Sequence, residues 1–190
     1  MIDTRFSKAE KELLKAVCGK KLIYIKSTEA DNWKRIYGNA VLTAENCELE
    51  IRNEIEPVSY FETVEDISVY HINEINDNYK YIPGILDADV IAVTVNSIIN
   101  EIIIVEDEII VSDSSGELIY NIIFDTAIVI KTDSGTFTFS REWYFEEDII
   151  FKEGDNYKDN IYPVENIIED WTDEEYEYNV KCIRQEKILR

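Results

Sequence analysis

Most of the chain follows the two-residue period of a β-strand rather than the 3.6-residue period of a helix. Cys47, Leu49 and Ile51 alternate with charged residues, which predicts a strand with one buried and one solvated face. Pro57 is expected to interrupt ladder pairing soon afterwards. The same alternation, or short apolar runs, predicts strands at residues 22–25, 36–43, 47–52, 67–72, 90–95, 98–105, 108–112, 117–124, 127–131, 136–140 and 149–151.

Residues 90–152 predict a meander of hairpins because the connections between their strands are short. Residues 113–116 and 133–135 have the Asp, Ser and Gly composition of tight turns, and Glu106-Asp107 is interpreted as a further connection. Such short connections require antiparallel neighbours. Consecutive apolar positions within several of these strands indicate that both faces of the sheet are covered.

Helical signals lie near the two ends of the chain. Ser7 and Glu10 have the spacing of a capping box, and the apolar positions that follow predict a helix over residues 7–18 that ends before Gly19. Pro163 predicts the start of a short second helix. Residues 180–189 are compatible with a last helix or with an edge strand.

These elements predict an α+β fold that is predominantly β. The antiparallel meander sheets are expected to form a sandwich or a partly open barrel, with an N-terminal helix and a short C-terminal helix. The 190 residues are interpreted as a single domain, 1–190. Residues 73–89 are rich in Asn, Asp, Pro and Gly, which marks them as a candidate subdomain junction.

The charge of the chain limits its partners. Forty Asp and Glu against 19 Lys and Arg give a net charge of −21, and the basic residues gather in residues 1–35 and 181–190. The strongly negative middle is expected to repel nucleic acid and anionic membrane and to attract cationic proteins. The alternative is that acidity only maintains solubility.

The sequence predicts a cytoplasmic protein. Its first residues have no apolar signal-peptide core, and no apolar run approaches the roughly 18 residues that span a bilayer. Cys18, Cys47 and Cys182 are odd in number and widely spaced, which argues against a disulfide framework.

No catalytic, cofactor or metal motif is predicted. His71 is the only histidine, and its strand-like surroundings favour an ordinary imidazole at the rim of a sheet. Nucleophile elbows, calcium loops, paired zinc ligands and glycine-rich phosphate loops are missing from the sequence. Paired carboxylates of a carbohydrate-active enzyme stay a less favoured alternative, because forty acids nominate no particular pair.

Two segments combine large aromatic residues with carboxylates, as does a surface that binds a basic protein. The alternative is that the tryptophans are core residues and the acids a solvated face. The candidate partner-binding residues are Trp143, Glu146, Glu147, Trp171, Asp173, Glu174, Glu175, Tyr176, Glu177 and Tyr178.

Residues 108–171 begin with Glu-Ile-Ile-Val-Ser-Asp-Ser-Ser-Gly, end with Glu-Asp-Trp, and resemble small β-rich bacterial proteins. In size, acidity and lack of catalytic motifs, the whole chain resembles immunity proteins of polymorphic and contact-dependent toxin systems. That resemblance implies a non-enzymatic cytoplasmic antidote that masks a basic toxin domain, and it transfers no individual residues. A structural or scaffold β-domain that forms homo-oligomers is the alternative, so the oligomeric state stays open.

Overall fold

The predicted fold class is confirmed. The computed structural model consists mostly of antiparallel strands with two α-helices, of which the C-terminal one is short, and its sheet is open rather than closed. The structure describes residues 1–29, 35–60, 63–76, 90–141, 143, 145–172 and 178–190.

The strands are β1 (Ile2–Asp3), β2 (Lys21–Glu29), β3 (Arg35–Ala44), β4 (Cys47–Tyr60), β5 (Thr63–Glu74), β6 (Val90–Ser112), β7 (Leu118–Thr132), β8 (Gly135–Ser140), β9 (Asp148–Glu153) and β10 (Asn179–Leu189). These strands of the described chain belong to one sheet with the order β1-β7-β8-β9-β3-β2-β6-β10. In addition β6 pairs with β7, and β4 pairs with β3 and β5. The helices are α1 (Lys8–Ala16), a 3₁₀ turn (Tyr157–Asn160) and α2 (Val164–Asp170).

Helix α1 begins with the predicted capping box. The Ser7 hydroxyl accepts a hydrogen bond from the Glu10 amide at 3.3 Å, and the Glu10 carboxylate accepts one from the Ser7 amide at 2.7 Å. Leu14 and Val17 lie fully buried against the sheet. Gly19 follows with a φ of 80°, a left-handed conformation that suits glycine at a helix end.

The predicted connection at Glu106-Asp107 is wrong. Strand β6 runs through both residues for 23 residues in all, with β7 on one side and β10 on the other. Glu106 is 1% exposed and Asp107 is fully buried. Two adjacent acids resemble a turn in the sequence, but here cationic side chains from distant elements compensate them inside the fold.

Strand β4 corrects two further expectations. The strand continues through Pro57, which lies opposite Asp66 of β5. Pairing between β3 and β4 ends at Arg52, so Pro57 lies in a segment whose one neighbour among the described strands is β5, and there a missing N–H is tolerated. The polar face of β4 is not uniformly solvated either, because Glu50 is buried and accepts a hydrogen bond from Asn39 at 2.6 Å.

The C-terminal segment is an edge strand. Residues Asn179–Leu189 pair antiparallel with β6 from Ser112 back to Ile102, which decides between the two alternatives left by the sequence. Helix α2 follows Pro163 as predicted. Residues 77–89, most of the candidate junction, lie outside the described residues.

Within the described residues, the core has one main cluster and two smaller ones. The main cluster of apolar side chains fills the space between α1 and strands β2, β3, β4, β5, β6, β7, β8 and β9. A second cluster lies around Ile167 of α2, and a third around Ile161. Among the described helices, none has the length and apolar character that crossing a bilayer requires.

Candidate functional site

The structure brings the two aromatic segments of the sequence together. Trp143, Trp171 and Tyr178 all pack at the margin of the second core cluster. The ring centres of Trp171 and the buried Tyr120 are 4.7 Å apart, and those of Trp143 and Tyr162 are 6.4 Å apart. These three candidate residues are therefore half-buried: each contributes to packing and also reaches the surface.

Carboxylates border this aromatic cluster. Glu146 and Glu147 are exposed, and they follow Phe145, which is 39% exposed with its ring 6.2 Å from Trp143. On the other side, the Tyr162 hydroxyl donates a hydrogen bond of 2.9 Å to Asp170. We refer to the following residues together as the acidic aromatic surface: Trp143, Phe145, Glu146, Glu147, Tyr162, Asp170, Trp171 and Tyr178.

The placement of the remaining candidates is not described. Asp173, Glu174, Glu175, Tyr176 and Glu177 lie outside the described residues, between Thr172 and Tyr178. Their charge still matters, since residues 159–180 contain eight Asp or Glu and no Lys or Arg.

Sequence reasoning missed Tyr162 and Asp170. Tyr162 lies in the connection before α2, and Asp170 is the last residue of that helix. Neither lies in a run of aromatic and acidic residues, which was the pattern used to select candidate binding residues. Asp170 could have been selected because it directly precedes Trp171 in the sequence.

The buried acids of β6 form a structural network rather than a reactive one. Lys187 lies 2.7 Å from the Glu106 carboxylate, while Arg5 and Lys11 each lie 3.5 Å from it. Asp107 is paired with Arg184 of β10. Each buried charge thus has cationic partners, which is the condition for its burial.

Asp125 and Arg141 are buried with fewer partners. One Asp125 oxygen accepts a hydrogen bond from the Phe6 amide, whereas the other has no partner among the described residues, and burial raises the pKa of this carboxyl to about 7. The Arg141 guanidinium lies 4.3 Å from the centre of the Tyr70 ring, and burial lowers the pKa of Arg141.

His71 lies at the rim of the sheet, between two carboxylates. Its Nε2 is 2.8 Å from Glu56, its Nδ1 is 3.5 Å from Glu10, and hydrogen bonding to Glu10 and Glu56 raises the pKa of His71. Burial opposes ionisation of Glu10, but hydrogen bonds from His71 and Ser7 lower its pKa to about 2. This arrangement favours a charged imidazolium held by carboxylates.

The same region could also offer ligands to a metal ion. Ligand atoms of Glu54, Glu56 and His71 all lie within 4.8 Å of one another. However, Glu54 is already paired with Arg52, and an ion would need the neutral imidazole. The described contacts of these side chains therefore favour the ion-pair network.

Comparison with known proteins leaves the function to be inferred from these residues: no protein-family model matches the chain, and no curated protein and no solved structure matches it either.

Proposed function

We propose that this chain is a non-enzymatic binding protein of the immunity type, which captures and masks a basic toxin domain through the acidic aromatic surface. The observation that carries the proposal is the contact path from Trp143 through Tyr162 to Asp170. This path joins two segments that are separate in the sequence, each of which combines aromatic rings with carboxylates. Since one patch offers both kinds of group, it has the composition of a binding surface for a cationic protein.

The two kinds of residue have different tasks in this proposal. Glu146, Glu147 and the acids of residues 159–180 steer a cationic partner toward the surface, an effect that raises association rates and weakens with salt. The exposed ring of Phe145 and the reachable edges of Trp143 and Trp171 then supply apolar contact area, which slows dissociation. Masking follows when the bound antidote covers the active site of the toxin domain or an adjacent surface.

The expected partner is a toxin domain of a large secreted protein encoded immediately upstream of this chain, and the expected site of action is the cytoplasm. Stopped-flow association with that domain, measured at 50 mM and 300 mM NaCl, tests the proposal. In low salt we expect the Glu146→Gln, Glu147→Gln double variant to associate about tenfold more slowly than the unmodified chain. Neutral replacement of Asp173, Glu174, Glu175 and Glu177 should have the same direction of effect.

The matched control removes the same charge elsewhere. Glu12 on α1 and Glu45 in the turn between β3 and β4 are exposed. The Glu12→Gln, Glu45→Gln variant should associate nearly as fast as the unmodified chain. Equal slowing in both double variants would mean that only net charge matters, and the acidic aromatic surface would lose its assignment.

A second candidate function is supported by β10. This edge strand has β6 as its neighbour on one side, and Ile183 and Ile188 are 42% and 52% exposed. An accessible edge with exposed apolar residues is a template for pairing with another chain, so a homo-oligomeric scaffold domain is the competing proposal. Sedimentation equilibrium distinguishes the two, because a stable homodimer that binds no toxin domain supports the scaffold.

A further inference from the structure

A cavity of about 590 Å³ is lined mainly by basic residues, although the protein as a whole is acidic. Five of the 19 basic residues line this cavity, against two of the 40 acidic ones. A chain with a net charge of −21 thus has a cavity in which cationic side chains predominate. The basic residues are Arg35, Arg141, Lys152, Lys158 and Arg184, and the acidic ones are Asp159 and Glu165.

Several parts of the fold contribute to the lining. Strands β3, β8, β9 and β10 supply Arg35, Ser140, Ile150 and Arg184. The 3₁₀ turn, the connection with Ile161 and the start of α2 with Val164 supply most of the rest. The lining therefore combines apolar side chains with positive charge, and its volume falls in the range of roughly 300–1,000 Å³ that is typical of small-molecule sites.

Three of these cations have their charge already compensated. Arg35 lies 3.5 Å from the Asp148 carboxylate. Arg184 donates hydrogen bonds to Asp107 and, at 2.8 Å, to the Tyr162 carbonyl. Lys158 lies 3.3 Å from Glu186 at the surface, an exposed pair that an incoming anion could replace at low cost.

Arg141 and Lys152 carry positive charge without an ion-pair partner in the part of the chain that the structure describes. Arg141 is 2% exposed, and its Nη1 donates hydrogen bonds to the Ser68 carbonyl and hydroxyl at 2.5 and 2.9 Å. Its Nε and Nη2 are buried without a well-aligned acceptor among the described residues, although Tyr70 and the charges of Asp125 and Asp107 act on the guanidinium. Burial still lowers the pKa of Arg141, so these neighbours offset the cost of burial only in part, and an anion in the adjacent cavity would add to the compensation.

We infer that this cavity binds a small organic anion that carries two or more negative charges on phosphate or carboxylate groups. Arg141, Lys152 and Lys158 attract the anionic oxygens, while Ile161 and Val164 contact the apolar part of the ligand. This site shares Tyr162 with the acidic aromatic surface, but it recognises the opposite charge.

Titration of the 190-residue chain followed by amide NMR tests the inference at 50 mM NaCl. The probes are AMP, which is a phosphate on an aromatic body, citrate, which is a tricarboxylate, and adenosine, which is the uncharged counterpart of AMP. We expect AMP or citrate to shift the amides around Lys152 and Ile161 with a saturating curve, and adenosine to leave them unchanged. Which of the two anions binds more tightly distinguishes phosphate from carboxylate recognition.

Two double variants complete the experiment. Lys152 and Lys158 are both exposed, so the Lys152→Gln, Lys158→Gln variant should fold normally and bind the anion about tenfold more weakly. The Lys8→Gln, Lys15→Gln variant makes the same change in charge on α1 and should bind as the unmodified chain does. Absence of saturable binding by both anions, or equal weakening in the two variants, would overturn the inference.

Discussion

The Arg184 guanidinium donates two hydrogen bonds to the Asp107 carboxylate, from Nε to Oδ1 at 2.8 Å and from Nη2 to Oδ2 at 2.7 Å. The Thr126 hydroxyl donates a further hydrogen bond of 2.6 Å to the same carboxylate. This pair joins β10 to β6 at a carboxylate that is fully buried.

Removal of the Asp107 charge should therefore strongly destabilise the folded protein. In the Asp107→Asn variant Arg184 loses its counter-charge, and we expect the free energy of unfolding to fall by about 3–5 kcal/mol. Urea denaturation followed by circular dichroism measures the loss. Glu101→Gln is the control, because Glu101 lies on the same strand and its partners Lys131, at 2.8 Å, and Arg190, at 2.9 Å, are 34% and 72% exposed. That variant should lose no more than about 1 kcal/mol, and similar losses at both sites would contradict the prediction.

Asp125 should make the protein less stable as the pH rises. Its pKa is raised from an ordinary 3.8 to about 7, so between these values the folded protein holds a proton that the unfolded chain has released. The free energy of unfolding therefore decreases over this pH range. Asp125→Asn mimics the protonated acid, and from pH 5 to pH 8 its stability relative to the unmodified chain should increase by on the order of 3 kcal/mol.

Equilibrium unfolding at several pH values checks this prediction. Asp66→Asn on β5 is a suitable control, because Asp66 is exposed. A difference between the Asp125→Asn variant and the unmodified chain that stays constant with pH would show that Asp125 ionises normally.

His71 offers a direct titration, since it is the only histidine in the chain and its imidazole signals in NMR need no assignment. Its pKa should lie above 6.5 because of the hydrogen bonds to Glu10 and Glu56. The stability that it contributes is thus complete below pH 6.5 and is lost as the pH rises through the folded-state pKa. Glu56→Gln should lower the pKa of His71, whereas Glu74→Gln farther along β5 should change it little. An unchanged pKa in the Glu56 variant would exclude that carboxylate as a partner.

Alanine variants of Trp171 and Phe145 should distinguish an effect on stability from an effect on partner binding. Trp171→Ala removes a ring that packs on buried Tyr120, and we expect a loss of about 3 kcal/mol in the free energy of unfolding. Phe145→Ala removes an exposed ring and should change stability by no more than about 0.5 kcal/mol, while weakening capture of the toxin domain. Thermal unfolding and titration calorimetry measure the two effects. Normal affinity in a folded Phe145 variant would remove that ring from the proposed interface.

Local signals predicted much of the fold. The capping box of Ser7 and Glu10 and the turn composition of residues 113–116 and 133–135 depend on neighbours in the sequence, and the structure has the helix and both hairpins. Pro163 likewise marked the start of α2. Each of these features is specified within a few residues, so a single sequence is enough to predict it.

The sequence-based predictions were wrong or incomplete where contacts between distant residues determine the structure. Glu106 and Asp107 continue a strand because cations from distant parts of the chain pair with them. These are Lys187 and Arg184 of β10, about eighty residues later, and Arg5 and Lys11 near the start of the chain. Tyr162 joins the acidic aromatic surface through its contact with Trp143, which the spacing of the two residues does not indicate. The basic cavity was missed for the same reason, since Arg141 and Arg184 meet there only in the folded chain.

The dependence of β6 on β10 also has a consequence for synthesis of the protein. While the ribosome has translated no further than β9, Asp107 lacks Arg184, and Glu106 has only the longer contacts to Arg5 and Lys11. The central strand then carries two acids whose burial is poorly compensated. We therefore expect that the nascent chain cannot complete its folding until residues 179–189 have been synthesised. Truncation before this segment should leave β6 open to chaperones and proteases, rather than yield a smaller folded protein.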